Sequence, residues 1–298
     1  FGFLLIIPLA KYFLKLPYFR SLVNPIPKAI PKPKKMELYI FWSIIIISTV
    51  IACISFIPLS ELSKILFAEA SGRNQTWFFP QRMNNAVMLW ALLNGLIGLI
   101  IFFGSYFIFG KDNEIHSEML GIMMGKKDFF KTLLLGAVIA FFFFMILYLV
   151  YYLFHIDYRF IFLSVRTFRP ITLLLIPMYL PFFFIFFLSN SIRVNCSMRI
   201  EGYSKIKSSF FSSFVTASGL IVILLIQYTT LWLTGTVFWK EGWLYVNLLF
   251  AIVPIMLVLP IYHRSFFDLT GRVYLGPITM SLIFITILLS NTVCYFPL

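Results

Sequence analysis

Three histidines, three cysteines and eleven acids are the side chains of this chain that acid–base, nucleophilic or metal chemistry would recruit. They do not assemble into a motif. No G-x-S-x-G supplies a nucleophile elbow. The nearest string, Gly202-Tyr203-Ser204-Lys205-Ile206, lacks the closing glycine and sits among basic residues. H-E-x-x-H, a Walker lysine loop and G-x-G-x-x-G are absent, and no two acids are adjacent. Cys53, Cys196 and Cys294 form no CxxC pair, and Cys53 and Cys294 lie in apolar runs, which argues against a metal or disulfide framework. His116, His155 and His263 fall in or beside connections, where each reads as an interface residue rather than a ligand. The expectation is a chain with no catalytic residue and no cofactor of its own.

The elements available to position such residues explain their scarcity. Of 298 residues 61% are hydrophobic and 12% charged, with 37 phenylalanines. Eleven acids and 24 bases cannot coat a soluble domain of this size. The excess apolar surface calls for lipid. Seven stretches are long enough to cross a bilayer. They are Leu38–Leu59, Asn85–Phe109, Thr132–Phe154, Ile171–Ser189, Ser213–Leu233, Trp243–Tyr262 and Pro277–Phe296. Residues 1–16 read as the end of a truncated eighth span, whose Lys11 and Lys15 suit a membrane exit. The expected fold is therefore all-α: a polytopic transmembrane bundle over 38–298, preceded by a Pro/Lys-rich cytoplasmic linker at 17–37.

The net charge of +13 would suggest nucleic acid in a soluble chain, but here it reads as the positive-inside bias of cytoplasmic loops. The first, third, fifth and seventh connections hold 17 Lys and Arg, and the other three hold 7. The 17-member set is assigned to the cytoplasm, which puts both chain ends outside. Arg159, Arg166 and Arg169 crowd one outside loop as an extracytoplasmic basic patch.

Two cytoplasmic connections carry more pattern. In PIPKAIPKPKK, prolines 25, 27, 31 and 33 alternate with lysines, which favours an extended strap near anionic headgroups. It reads first as a flank and spacer, and otherwise as a partner-binding strap. In Lys111–Lys131, Ile115, Met119 and Met123 recur at helical spacing. Acids stand at the start and Lys126, Lys127 and Lys131 at the end, the charge order of a helix lying in the membrane surface. Lys126, Lys127 and Asp128 would be its contacts if it coupled to a cytoplasmic partner.

Inside the spans no ionisable group appears, so ion-coupled transport is not indicated. Asn94, Gln227 and Asn247 are the polar candidates, read as interhelical contacts rather than a substrate site. Pro177 and Pro181 in one span, and Pro254 and Pro260 in another, read as kinks. In Leu269–Arg272, Gly271 is expected to turn the chain and Arg272 to anchor at the cytoplasmic face.

Several strings carry a likeness when read in order: WFFPQRMNNAVMLWALLNGLIGLIIF (Trp77–Phe102), MGKKDFFKTLLLG (Met124–Gly136), HIDYRFIFLSVRTFRP (His155–Pro170), LPFFFIFFLSNSIRVN (Leu180–Asn195), LLIQYTTLWLTGTVFW (Leu224–Trp239) and LTGRVYLGPITMSLIF (Leu269–Phe284). Together they resemble the C-terminal polytopic membrane region of bacterial, Firmicute-type membrane-bound α/β-hydrolase family proteins. The resemblance implies a hydrolase domain upstream of Phe1, outside the membrane, with this segment as its anchor or partner region. It carries no catalytic residue over, because the family's nucleophile, acid and histidine belong to that other domain. The alternative is an ABC-type permease subunit, with 111–131 meeting a cytoplasmic ATPase. On either reading the partners are the lipid bilayer and a protein domain, not nucleic acid.

Overall fold

The computed structural model describes residues 2–24, 91–100, 124–154, 176–201 and 261–290, with isolated helical positions at 39, 43, 47, 89 and 258–259. Every regular element among the described residues is helical, and none is a strand. In chain order these are α1 (Gly2–Leu14), a single 3-10 turn (Arg20–Leu22), α2 (Ala91–Ile100), α3 (Lys126–Phe154), α4 (Ile176–Glu201), α5 (261–270) and α6 (Leu275–Ser290). Of these, α3 is long and apolar enough to cross a membrane. The apolar parts of the others, Leu5–Leu14, Ala91–Ile100, Ile176–Ile192 and Leu275–Thr286, are shorter. Seven complete spans are therefore not present among the described residues, and Ala91–Ile100 is the described part of the expected Asn85–Phe109.

The centre of the assembly is α6, which packs against both α3 and α4, while α1 and the 3-10 turn lie on α3. The two faces of α3 show how one apolar helix sorts its residues. Leu135, Ile139, Phe143 and Leu147 recur every fourth position and are buried. A four-residue step advances slightly past one helical turn, so these residues form the ridge that seats against neighbours. Phe130, Leu134, Phe141, Met145, Tyr148 and Tyr152 occupy the other side and are exposed. On α4 the same spacing buries Tyr179, Phe183, Phe187 and Ser191. Phe183 and Phe187 meet Phe284 of α6 at 5.1 and 5.9 Å between ring centroids.

Small residues set how closely the helices approach. A methyl group on Gly95 of α2 would stand 2.7 Å from the Phe186 amide nitrogen of α4, so the two backbones meet there. On Gly136 of α3 it would stand 2.5 Å from the Ile278 side chain of α6. Where lipid replaces water, such close packing contributes more to helix association than transfer of apolar surface does.

Helix boundaries depart from the sequence expectation in two places. Lys126, Lys127 and Lys131, expected to close a surface helix at 111–131, lie instead in the opening turns of α3. Residues 111–123 fall outside the described set. Helix α4 continues past the expected span end at Ser189 as far as Glu201. It also runs through its prolines. Pro177 occupies the first turn, where its missing N–H has no helical acceptor, and Pro181 forfeits one backbone bond.

Between α5 and α6 the chain reverses in four residues. Gly271 takes φ 63°, a left-handed conformation that a side chain disfavours, and its N–H donates to the Phe267 carbonyl at 2.7 Å. The turn expected at Gly271 is present.

Candidate functional site

A set of polar contacts between segments far apart in the chain gathers at one end of the bundle. The first turn of α3 places Asp128 against the turn between α5 and α6, where its carboxylate meets Arg272 Nη1 at 3.0 Å. The Asn24 side-chain oxygen, in the amide orientation that suits its neighbours, accepts from Arg272 Nε and from Nη2, the latter at 3.0 Å. The Asn24 backbone N–H donates to the Thr270 carbonyl at 3.2 Å. One guanidinium thus ties together three segments that lie far apart in the chain. Its planar fork of donors suits it to holding two acceptors at fixed angles.

A second contact reinforces the first. Lys131 Nζ donates to Ser21 Oγ at 3.0 Å and stands 5.3 Å over the Tyr18 ring. Ser191 of α4 donates through its hydroxyl to the Val273 carbonyl at 3.1 Å. Phe129 packs edge-on against Tyr274, 6.1 Å between ring centroids, and burial holds the Tyr274 phenol above its ordinary pKa. Residues 20–24, 126–131, 191 and 270–274 therefore converge. These come from the first, third, fifth and seventh connections, the four assigned to one side by their Lys and Arg.

The convergence also orients α1. Phe13 meets Phe142 at 5.2 Å while Ser21 meets Lys131, so the chain from α1 onward runs antiparallel to α3. Phe142 is eleven residues from Lys131, about 16 Å along the helix at ~1.5 Å per residue. The close of α1 accordingly lies beside the middle of α3.

A different environment lies deeper in the same helix pair. His263, one residue past the apolar stretch ending at Tyr262, is fully buried beside the Phe187 ring, 6.1 Å away between centroids. A methyl group on Gly276 would come within 2.8 Å of its Nδ1, so the imidazole lies directly on the first turn of α6. Neither ring nitrogen has a hydrogen-bond partner among the described residues. A ring sealed in this way is tolerated best as the neutral imidazole. One residue on, Arg264 pairs with Asp268 at 2.8 Å and lies over the Phe267 ring at 5.4 Å.

Of the residues singled out from sequence, the structure brings Asp128 together with Arg272 and leaves Lys126 and Lys127 exposed at the same end. Asn94 is half-buried on α2 next to Gly95. Gln227, Asn247, Arg159, Arg166 and Arg169 lie outside the described residues, as does the strap at 25–35. His263, read as a loop interface residue, is instead an interior one, because the helix continues through it to Thr270. Its flanks, Tyr262, Phe266 and Phe267, were the signal available in the sequence for that burial. Nothing in the spacing announced the Asn24–Arg272 or Ser191–Val273 contacts.

Chemically, the arrangement binds helix ends together. The hydroxyls of Thr132, Ser191, Thr270, Ser281 and Thr286 each donate to a backbone carbonyl. Among the described residues no three His, Cys, Asp or Glu side chains gather to hold a metal. Comparison of the chain with protein-family models, with curated proteins and with solved structures finds no match.

Proposed function

We propose that this chain is an integral membrane domain, built as a polytopic helical bundle, that anchors an extracytoplasmic α/β hydrolase encoded upstream of Phe1. The observation that supports membrane placement most directly is the exposed side of α3. From Phe130 to Tyr152 its apolar side chains stand open in a row about 33 Å long at ~1.5 Å per residue, close to the ~30 Å of a bilayer's hydrocarbon core. Only 33% of its most apolar window is buried, whereas the core helix of a soluble protein is mostly buried. The meeting at one end of the four connections that together hold 17 of the 24 Lys and Arg supports a cytoplasmic assignment of that end. The seven-span count and the hydrolase rest on the sequence alone, the latter on resemblance.

Membrane placement is tested by expressing the full chain in bacterial membranes and washing with alkaline carbonate. Retention in the pellet is expected; release into the wash would end the reading. Orientation is tested with single-cysteine variants and a membrane-impermeant maleimide on intact cells. Arg166→Cys should label and Lys127→Cys should be protected, and the reverse pattern would invert the topology. The hydrolase is tested by reading the frame upstream of Phe1, where G-x-S-x-G followed by an acid and a histidine is expected.

The exposure of Lys126 and Lys127 keeps a second reading open: a permease subunit contacting a cytoplasmic ATPase. Reversing both charges should then uncouple the ATPase, and an unchanged ATPase rate would exclude it.

A further inference from the structure

We infer that the end of the bundle carrying Arg20, Lys126, Lys127 and Lys131 is a binding surface for the anionic headgroups of a lipid leaflet, centred on the Lys131–Ser21 contact. The inference rests on the membrane reading above and goes beyond it, because insertion alone requires no particular headgroup. Arg20, Lys126 and Lys127 are exposed, and Lys131 is half-buried against Ser21 and Tyr18. Asp128, in the first turn of α3, is already engaged by Arg272, and Asp268 by Arg264. Arg20, Lys126 and Lys127 thus face outward beside the partly covered Lys131, and none of the four pairs with a described carboxylate. Lys126 and Lys127 also stand at the positive end of the α3 dipole, a position that destabilises a helix unless negative charge faces it.

Two neighbouring features select the occupant. Tyr18 and Phe130 are strongly exposed among the cations, at 57% and 66%, and exposed aromatics of this kind sit at the level of lipid headgroups. Phe130 also begins the open apolar row of α3, so the cationic face continues without a break into a face of bilayer length. A nucleic acid or an acidic protein would match the charges and leave that row uncovered. An anionic leaflet satisfies both at once: phosphates take the lysines and arginine, and acyl chains take the row. Each cation near such a surface adds an attraction that fades beyond a Debye length, ~8 Å at physiological salt.

The test uses the full chain in lipid nanodiscs of pure phosphatidylcholine and of phosphatidylcholine with phosphatidylglycerol at about 30%. The expected result is a Tm higher by at least about 5 °C in the anionic discs at low salt, shrinking at high salt. Lys127→Glu/Lys131→Glu should abolish the gain. Since Lys131 also touches Ser21, Lys126→Gln/Lys127→Gln, at two exposed positions, should roughly halve it without disturbing packing. Equal Tm in both discs, or a gain that both variants keep, would overturn the headgroup surface while leaving the membrane reading intact. Failure of the wild-type chain to remain in discs of either kind would overturn both. A gain of the same size from heparin added to neutral discs would assign the surface to a soluble polyanion and overturn the lipid proposal.

Discussion

The end of the bundle around Arg272 and the interior around His263 lie within ten residues of each other and treat polar groups in opposite ways. At Arg272 every strong contact is compensated: carboxylate, amide oxygen and guanidinium meet at 3.0 Å, with Asp128 and Arg272 both retaining some exposure. At His263 the ring is fully buried and its nitrogens have no described partner. In a part-buried charge pair the desolvation cost offsets most of the attraction, so its net contribution is small, about 1 kcal/mol. A polar ring sealed among aromatics costs more, and it is tolerated only while it stays neutral. The difference teaches that specificity of helix docking sits at the boundary, where it is inexpensive, while stability comes from the packed interior.

The sharpest way to break that comparison is to open the interior. Phe266→Ala removes a fully buried ring beside the His263–Gly276 contact and is expected to cost about 3–5 kcal/mol in detergent micelles. A loss under 1 kcal/mol would mean the interior is loosely packed and the contrast false.

The His263 ring itself can be replaced. His263→Phe keeps an aromatic ring against Phe187 and Gly276 and removes two buried nitrogens that have no described hydrogen-bond partner, so stability in micelles should hold or rise by about 1 kcal/mol. A loss of several kcal/mol would show that the imidazole nitrogens make contacts the fold needs.

Helix spacing can be tested apart from polarity. Gly95→Ala sets a methyl group against the α4 backbone, which cannot rotate away, and should cost about 1–3 kcal/mol. A neutral result would show α2 free to stand off from α4.

The smallest effects belong to the boundary. Asp128→Ala and Arg272→Ala, measured singly and together, should give a coupling near 0.5–1 kcal/mol that weakens with salt. A coupling of several kcal/mol would make this end as decisive as the interior and erase the contrast.

How far the sequence could be read follows the same division. The strings around Thr132–Phe154 made a membrane-length helix legible, since length and apolar composition are local properties, and α3 covers the whole of that stretch. Gly271 was legible as a turn because positive φ is a property of one residue. The opening of α3 at Lys126 was not, because charge order alone cannot say whether lysines close one helix or open the next. Asp128 and Arg272 each stood out as charged residues near span ends, but 144 positions separate them and no local pattern links two such residues.

Composition and spacing by themselves gave the expectation of an apolar surrounding and of helical structure, the latter matched by the described residues, which are all-helical, and they showed no catalytic motif. Those conclusions depend on sums and short-range spacing, which survive whatever the chain does at long range. Only the tertiary structure decided which of the charges meet, that His263 lies inside, and that Gly95 and Gly136 mark helix crossings. Such facts depend on which faces of distant helices come together. That choice is made by the packing of whole surfaces, where one methyl group at Gly95 or one guanidinium at Arg272 can decide the register.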